Sequence, residues 1–177
     1  MIGFMEDPQP KADNPVGQKY PEGLAMDNQV RLILAKVASS ADFACVELVD
    51  VNTTNSMGDN ALHCVCLWGD VEAAKALINA GINIDQFGER GYTPLHIACM
   101  AGHIAVVELL VAHGADLFAQ SEGDLPFTTA RLGGHDAICD YLSPLMTSAQ
   151  ASQRSVYIKS RIEQLRREIS RLESSLD

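Results

Sequence analysis

A pattern that returns at one fixed interval constrains this 177-residue chain more than any single residue in it. The run Gly58-Asp59-Asn60-Ala61-Leu62-His63 leads on to Gly69-Asp70 and Gly81. Gly91-Tyr92-Thr93-Pro94-Leu95-His96 leads on to Gly102-His103 and Gly114-Ala115-Asp116, and Gly123-Asp124-Leu125-Pro126-Phe127-Thr128 to Gly134-His135. Gly58 and Gly91 are 33 positions apart and Gly91 and Gly123 are 32, so one residue is missing from the loop before Gly123. A period of this size belongs to small units that cannot bury their apolar faces alone and must stack into a continuous core.

The middle unit can be read residue by residue. Thr93 is suited to cap a helix by accepting an amide hydrogen bond. Pro94 follows at the first helical position, where its missing N–H costs nothing. Leu95 and Ala98 point inward, and Ala lets a neighbouring helix come close. Gly102 breaks the first helix. Ile104, Val107, Leu109 and Leu110 give the second helix an apolar face, and Gly114 ends it in a conformation that is cheap for Gly.

The period, together with Thr93-Pro94-Leu95-His96-Ile97-Ala98 and the block from Gly102 to Asp116, resembles the ankyrin repeat. The resemblance covers roughly residues 28–143. It implies an all-α ankyrin-repeat solenoid of about four units, two of them degenerate caps, followed by a C-terminal helix with a heptad pattern. In style the units are similar to those of small stand-alone bacterial ankyrin proteins. Residues 28–57 carry the apolar run Val30-Arg31-Leu32-Ile33-Leu34-Ala35 without the motif, as an N-terminal cap would, and Val51-Asn52 matches the tail of a unit. The last unit has Phe127-Thr128 in place of Leu-His. The family also implies that His63 and His96 bond backbone between adjacent loops rather than act in catalysis. The organisation expected is a disordered segment 1–27, an ankyrin domain 28–146 and a helix 147–177.

Composition narrows the function classes. The net charge is −10, and residues 1–150 hold seven Lys/Arg against nineteen Asp/Glu. So acidic a body repels phosphate backbones, which argues against nucleic acid as a partner. No stretch approaches the roughly 18 apolar residues of a membrane span. The start lacks the basic and apolar regions of a secretory signal, so a cytoplasmic location and reduced thiols are expected. Five cysteines show no framework spacing. Cys64 and Cys66 beside His63 lack the second pair a structural zinc site needs, so neither metal nor cofactor is expected. No nucleophile–base pair or phosphate loop is present, and an enzyme is not indicated.

The resemblance also implies where a partner sits: on the loop tips and the exposed side of the first helices. Carried over residue by residue, it marks Met57, Asp59, Leu67 and Trp68, then Glu89, Arg90, Tyr92 and Met100, then Glu122 and Asp124. Apolar side chains at such positions mark interaction surfaces, although Trp68 could equally pack over the adjoining unit. The bordering carboxylates favour a basic or mixed partner surface. Beyond Pro144 a separate pattern begins. Ile158, Ile162, Leu165, Ile169, Leu172 and Leu176 recur at spacings of 4, 3, 4, 3, 4, a heptad stripe. A second copy of the tail, the chain's own body or a partner could cover it, with an antiparallel homodimer favoured by the flanking charges. The function these features indicate is protein–protein interaction through the concave surface, as an adaptor or inhibitor. Structural assembly through the C-terminal helix is the alternative.

Overall fold

The computed structural model describes residues 27–48 and 50–150, with positions 152, 162 and 166 helical beyond them. The expectation of disorder over 1–27 therefore falls almost wholly outside the described residues. So do Ile158, Leu165, Ile169, Leu172 and Leu176 of the heptad stripe. Ile162 is described, helical and 45% exposed.

Among the described residues seven α-helices follow one another: α1 Asn28–Ala38, α2 Ala61–Trp68, α3 Val71–Asn79, α4 Pro94–Ala101, α5 Ile104–Ala112, α6 Pro126–Leu132 and α7 over 136–150. They form two layers. The first helices of successive units, α2, α4 and α6, lie side by side, and α3 and α5 pack behind them. One apolar core runs the length of the stack, through Leu34, Leu62, Leu77, Leu95, Leu110, Ile138 and Leu142. Among the described residues no helix is long and apolar enough to cross a membrane.

Three helices, α1, α2 and α3, start where a side chain takes up amides left open at the helix end. Asp27 accepts from Gln29 N–H at 3.3 Å, Asn60 from Leu62 at 3.1 Å and Asp70 from Ala73 at 3.0 Å. The first unit departs from the others. One period before α3 the chain makes only a 3-10 turn, Ala41–Phe43, in place of a second helix. The hydroxyls of Ser39 and Ser40 donate to the Lys36 and Val37 carbonyls, each at 2.6 Å, which closes α1 and competes with further helix. Phe43 and Leu48, both buried, fill the space the missing helix would have occupied.

The loops behind the second helices are registered by a ladder of carboxylates and amides. Asp50, Asn83 and Asp116, one period apart, each accept from the N–H two residues on, at 2.6, 3.2 and 2.8 Å. Asn52 then accepts from Asn83 N–H of the next unit at 2.6 Å, and Asp85 from Asp116 N–H at 2.9 Å. The ladder fixes the rotation between units, and with it the fingers on the opposite side.

Candidate binding groove

Three short fingers project from the stack. Those of the second and third units close through Asn55 N–H to Asp59 O at 2.9 Å and Gly88 N–H to Tyr92 O at 2.8 Å. The last is one residue shorter, an isolated bridge between Ser121 and Asp124, so the residue missing from the period was lost at the finger tip. Arg90 and Glu122 stand at equivalent tip positions with φ of 55° and 48°, each followed by a Gly at positive φ. Two consecutive left-handed residues make a tight turn that suits a twisted hairpin.

Buried histidines join each finger to its neighbour. In α2, His63 Nδ1 accepts the Asn60 N–H at 3.1 Å, and its Nε2 lies 3.1 Å from Tyr92 O in the next finger. In α4, His96 Nδ1 accepts the Thr93 N–H at 3.1 Å, and Nε2 lies 3.3 Å from Asp124 O. An Nδ1 that accepts goes with a proton on Nε2, which then donates to the carbonyl, the arrangement of a neutral ring. Burial, above all, lowers the pKa of both, against smaller opposing effects of the backbone carbonyls and nearby carboxylates. Both rings serve as joints between fingers.

Further hydrogen bonds hold the finger walls. Asp59 accepts from Glu89 N–H at 3.0 Å and from Asn55 Nδ2 at 3.2 Å. Ser121 Oγ donates to Arg90 O at 2.7 Å, so the Arg90 finger is held from both sides.

Between the first two fingers lies a groove of about 390 Å³. It is lined by seven of the ten positions singled out from sequence: Met57, Asp59, Leu67, Glu89, Arg90, Tyr92 and Met100. Met57, Leu67 and Met100 are about half exposed, at 53, 49 and 45%. Trp68 stands outside the groove, with the Lys36 ammonium 4.6 Å above its ring and Lys36 also paired with Asp70 at 3.6 Å. Glu122 and Asp124 belong to the last finger, beyond the groove. Sequence reasoning missed Asp42, His63, Cys64 and Ile97, which also line it. Ile97 was within reach, being one helical turn before Met100. Asp42 was not, because it comes from the turn that replaces a helix.

The thiols offer no chemistry to the groove. Burial pushes Cys64 up to about 11 and Cys99 up to about 12, and it raises Cys66 further. They act as small apolar fillers. Among the described residues no three His, Cys, Asp or Glu gather to hold a metal.

Stacked helix pairs, joined by braced fingers above a groove with an apolar lining, define a class: a repeat protein that presents a surface for protein–protein interaction. The chain belongs to the ankyrin-repeat family, whose model matches residues 26–121 as three copies of the repeat. It is similar to protein phosphatase 1 regulatory subunit 27 of Mus musculus, 42% identical over 79 residues, or 44% of this chain and 51% of that protein. It is 34% identical over 121 residues to tyrosine-protein kinase Shark of Drosophila melanogaster, covering 66% of this chain and 13% of the kinase. With ankyrin repeat-containing protein ITN1 of Arabidopsis thaliana it shares 33% identity over 94 residues, 52% of this chain and 16% of that one. The chain thus spans about half, or much less, of these relatives. They come from animals and a plant and lend no support to a bacterial source.

Proposed function

We propose that this chain works by holding a partner protein against its concave face, as an adaptor or an inhibitor, and catalyses nothing itself. The observation that carries the reading is the half-exposed trio Met57, Leu67 and Met100 around a groove whose walls are already fixed by hydrogen bonds. Exposed apolar clusters of this kind mark interaction sites, and a preformed wall lowers the ordering cost of binding. The likeness to a phosphatase regulatory subunit supports the same reading.

Once a partner is captured with the full chain, Met57→Glu combined with Leu67→Glu should weaken binding by about 2–4 kcal/mol if these are anchors. Helical content should stay unchanged, since neither side chain is in the core. Calorimetry on both proteins checks this, and unchanged affinity moves the site elsewhere.

We also propose that the heptad tail pairs two copies of the chain. Ile162, at an a position of the stripe, stays 45% exposed in the single chain, where an apolar stripe seeks cover. Sedimentation equilibrium should give a dimer for the full chain and a monomer for one ending at Ser148. Monomers in both cases sink this second reading.

A further inference from the structure

Three helices carry one large apolar side chain each at the same repeat position, turned out of the core. These are Leu67 on α2, Met100 on α4 and Leu132 on α6, separated by 33 and 32 residues. Leu132 is the most exposed, at 74%. The same helices fill the core with Leu62, Leu95 and Ala130, so packing among the described residues does not account for the stripe.

The spacing of the stripe selects the geometry of what could cover it. The helices α2, α4 and α6 lie side by side, and packed helices sit about 8–10 Å apart. A helix laid across them rises about 1.5 Å per residue, so side chains seven apart share a face and stand about 10.5 Å apart. A strand does not fit. Same-face positions recur at about 6.7 or about 13 Å, because its side chains alternate and its rise is about 3.3 Å. Charge selects the chemistry. Asp42, Asp59 and Glu89 line the groove against Arg90, three negative groups to one positive, and the last finger carries Glu122 and Asp124, with Arg131 beside Leu132 in the chain.

We propose that the occupant of the concave face is a basic amphipathic helix of the partner, with large apolar side chains seven residues apart. One would seat in the groove between Leu67 and Met100, and the next between Met100 and Leu132. This rests on the interaction reading above and gives it a ligand class: a helix placed by apolar anchors and oriented by Lys or Arg.

The test uses the full chain with methyl-labelled methionines and three lactam-stapled helical peptides. The first has two Leu seven residues apart, flanked by Arg. The second has the same composition with the Leu five apart, and the third has Glu in place of Arg. The first should shift the Met57 and Met100 methyl signals and bind at least about tenfold more tightly than either of the others. Met100→Glu and Leu132→Glu should each weaken it about tenfold without changing the unfolding midpoint. Equal binding of the five-spaced peptide, or of the acidic one, overturns the proposal. A captured natural partner that is lost on Met57→Glu with Leu67→Glu, while none of the three peptides binds, leaves the interaction reading standing and defeats the helix alone.

Discussion

Gly102→Ala should destabilise the fold by about 2–4 kcal/mol, whereas Gly114→Ala should cost only about 1–2 kcal/mol. Both glycines follow a helix and both are left-handed, with φ of 79° and 86°. Placing a Cβ in that conformation carries the same backbone penalty at each site. Their surroundings differ. At Gly114 an added Cβ meets nothing within 4 Å. At Gly102 it would lie 2.5 Å from Cε1 and 2.7 Å from Nδ1 of His135, whose ring rests on the glycine. The His135 ring cannot stay, yet its Nε2 is bonded to Met100 O at 3.0 Å, so a contact between units goes with it. Gly69 repeats the arrangement one unit earlier, under His103, whose Nε2 reaches Leu67 O at 3.1 Å. Urea unfolding of the two variants measures the difference. The double change Gly102→Ala with His135→Ala separates the causes, because relief of the clash makes it cost less than the two single changes added together. If Gly102→Ala is as mild as Gly114→Ala, the ring contact does not matter to stability.

The period places α2, α4 and α5 almost to the residue, because capping residues, Pro94 and the turn glycines each act within one helical turn. Seven groove residues were legible for the same reason: equal positions in equal units face the same way. The first unit was recognisable as a degenerate cap, but not the loss of its second helix. Ser39 and Ser40 decide that by turning back on α1, a choice between two local hydrogen-bonding patterns that composition does not settle. Asp42 reaches the groove only as a consequence of that choice. Trp68 was ambiguous because its surroundings depend on Lys36, 32 positions earlier in an irregular unit. The ladder through Asp50, Asn83 and Asp116 stood in the sequence at the full period. It went unread because an Asp or Asn in a loop signals its own turn more plainly than its reach to the next unit.

Replacing His96 by Leu should cost about 1–4 kcal/mol at neutral pH and should also remove part of the protein's sensitivity to acid. Leu fills most of the volume but leaves the buried Thr93 N–H without its acceptor, while Asp124 O keeps the Ser121 N–H and loses only its second donor. Each orphaned buried polar group costs about 1–3 kcal/mol. The acid response follows from linkage. In the unfolded chain the imidazole titrates near 6.5, and burial lowers that value in the fold. Between the two values the unfolded chain binds more protons than the folded one, so stability falls as pH falls. The loss begins near 6.5 and levels off below the folded value. Protonation also puts a hydrogen on Nδ1, which then no longer accepts the Thr93 N–H, so α4 loses that bond as the core gains a charge. His63 is built the same way, with Asn60 in the place of Thr93, so a single replacement reduces the response and the double replacement should reduce it further. Urea midpoints at about pH 7.5 and about pH 5.5 provide the check. The wild-type chain should lose more stability over that interval than His96→Leu, and His96→Leu more than His63→Leu with His96→Leu. Equal losses in all three would assign acid sensitivity to the carboxylates and leave the histidines as neutral joints without a titration role.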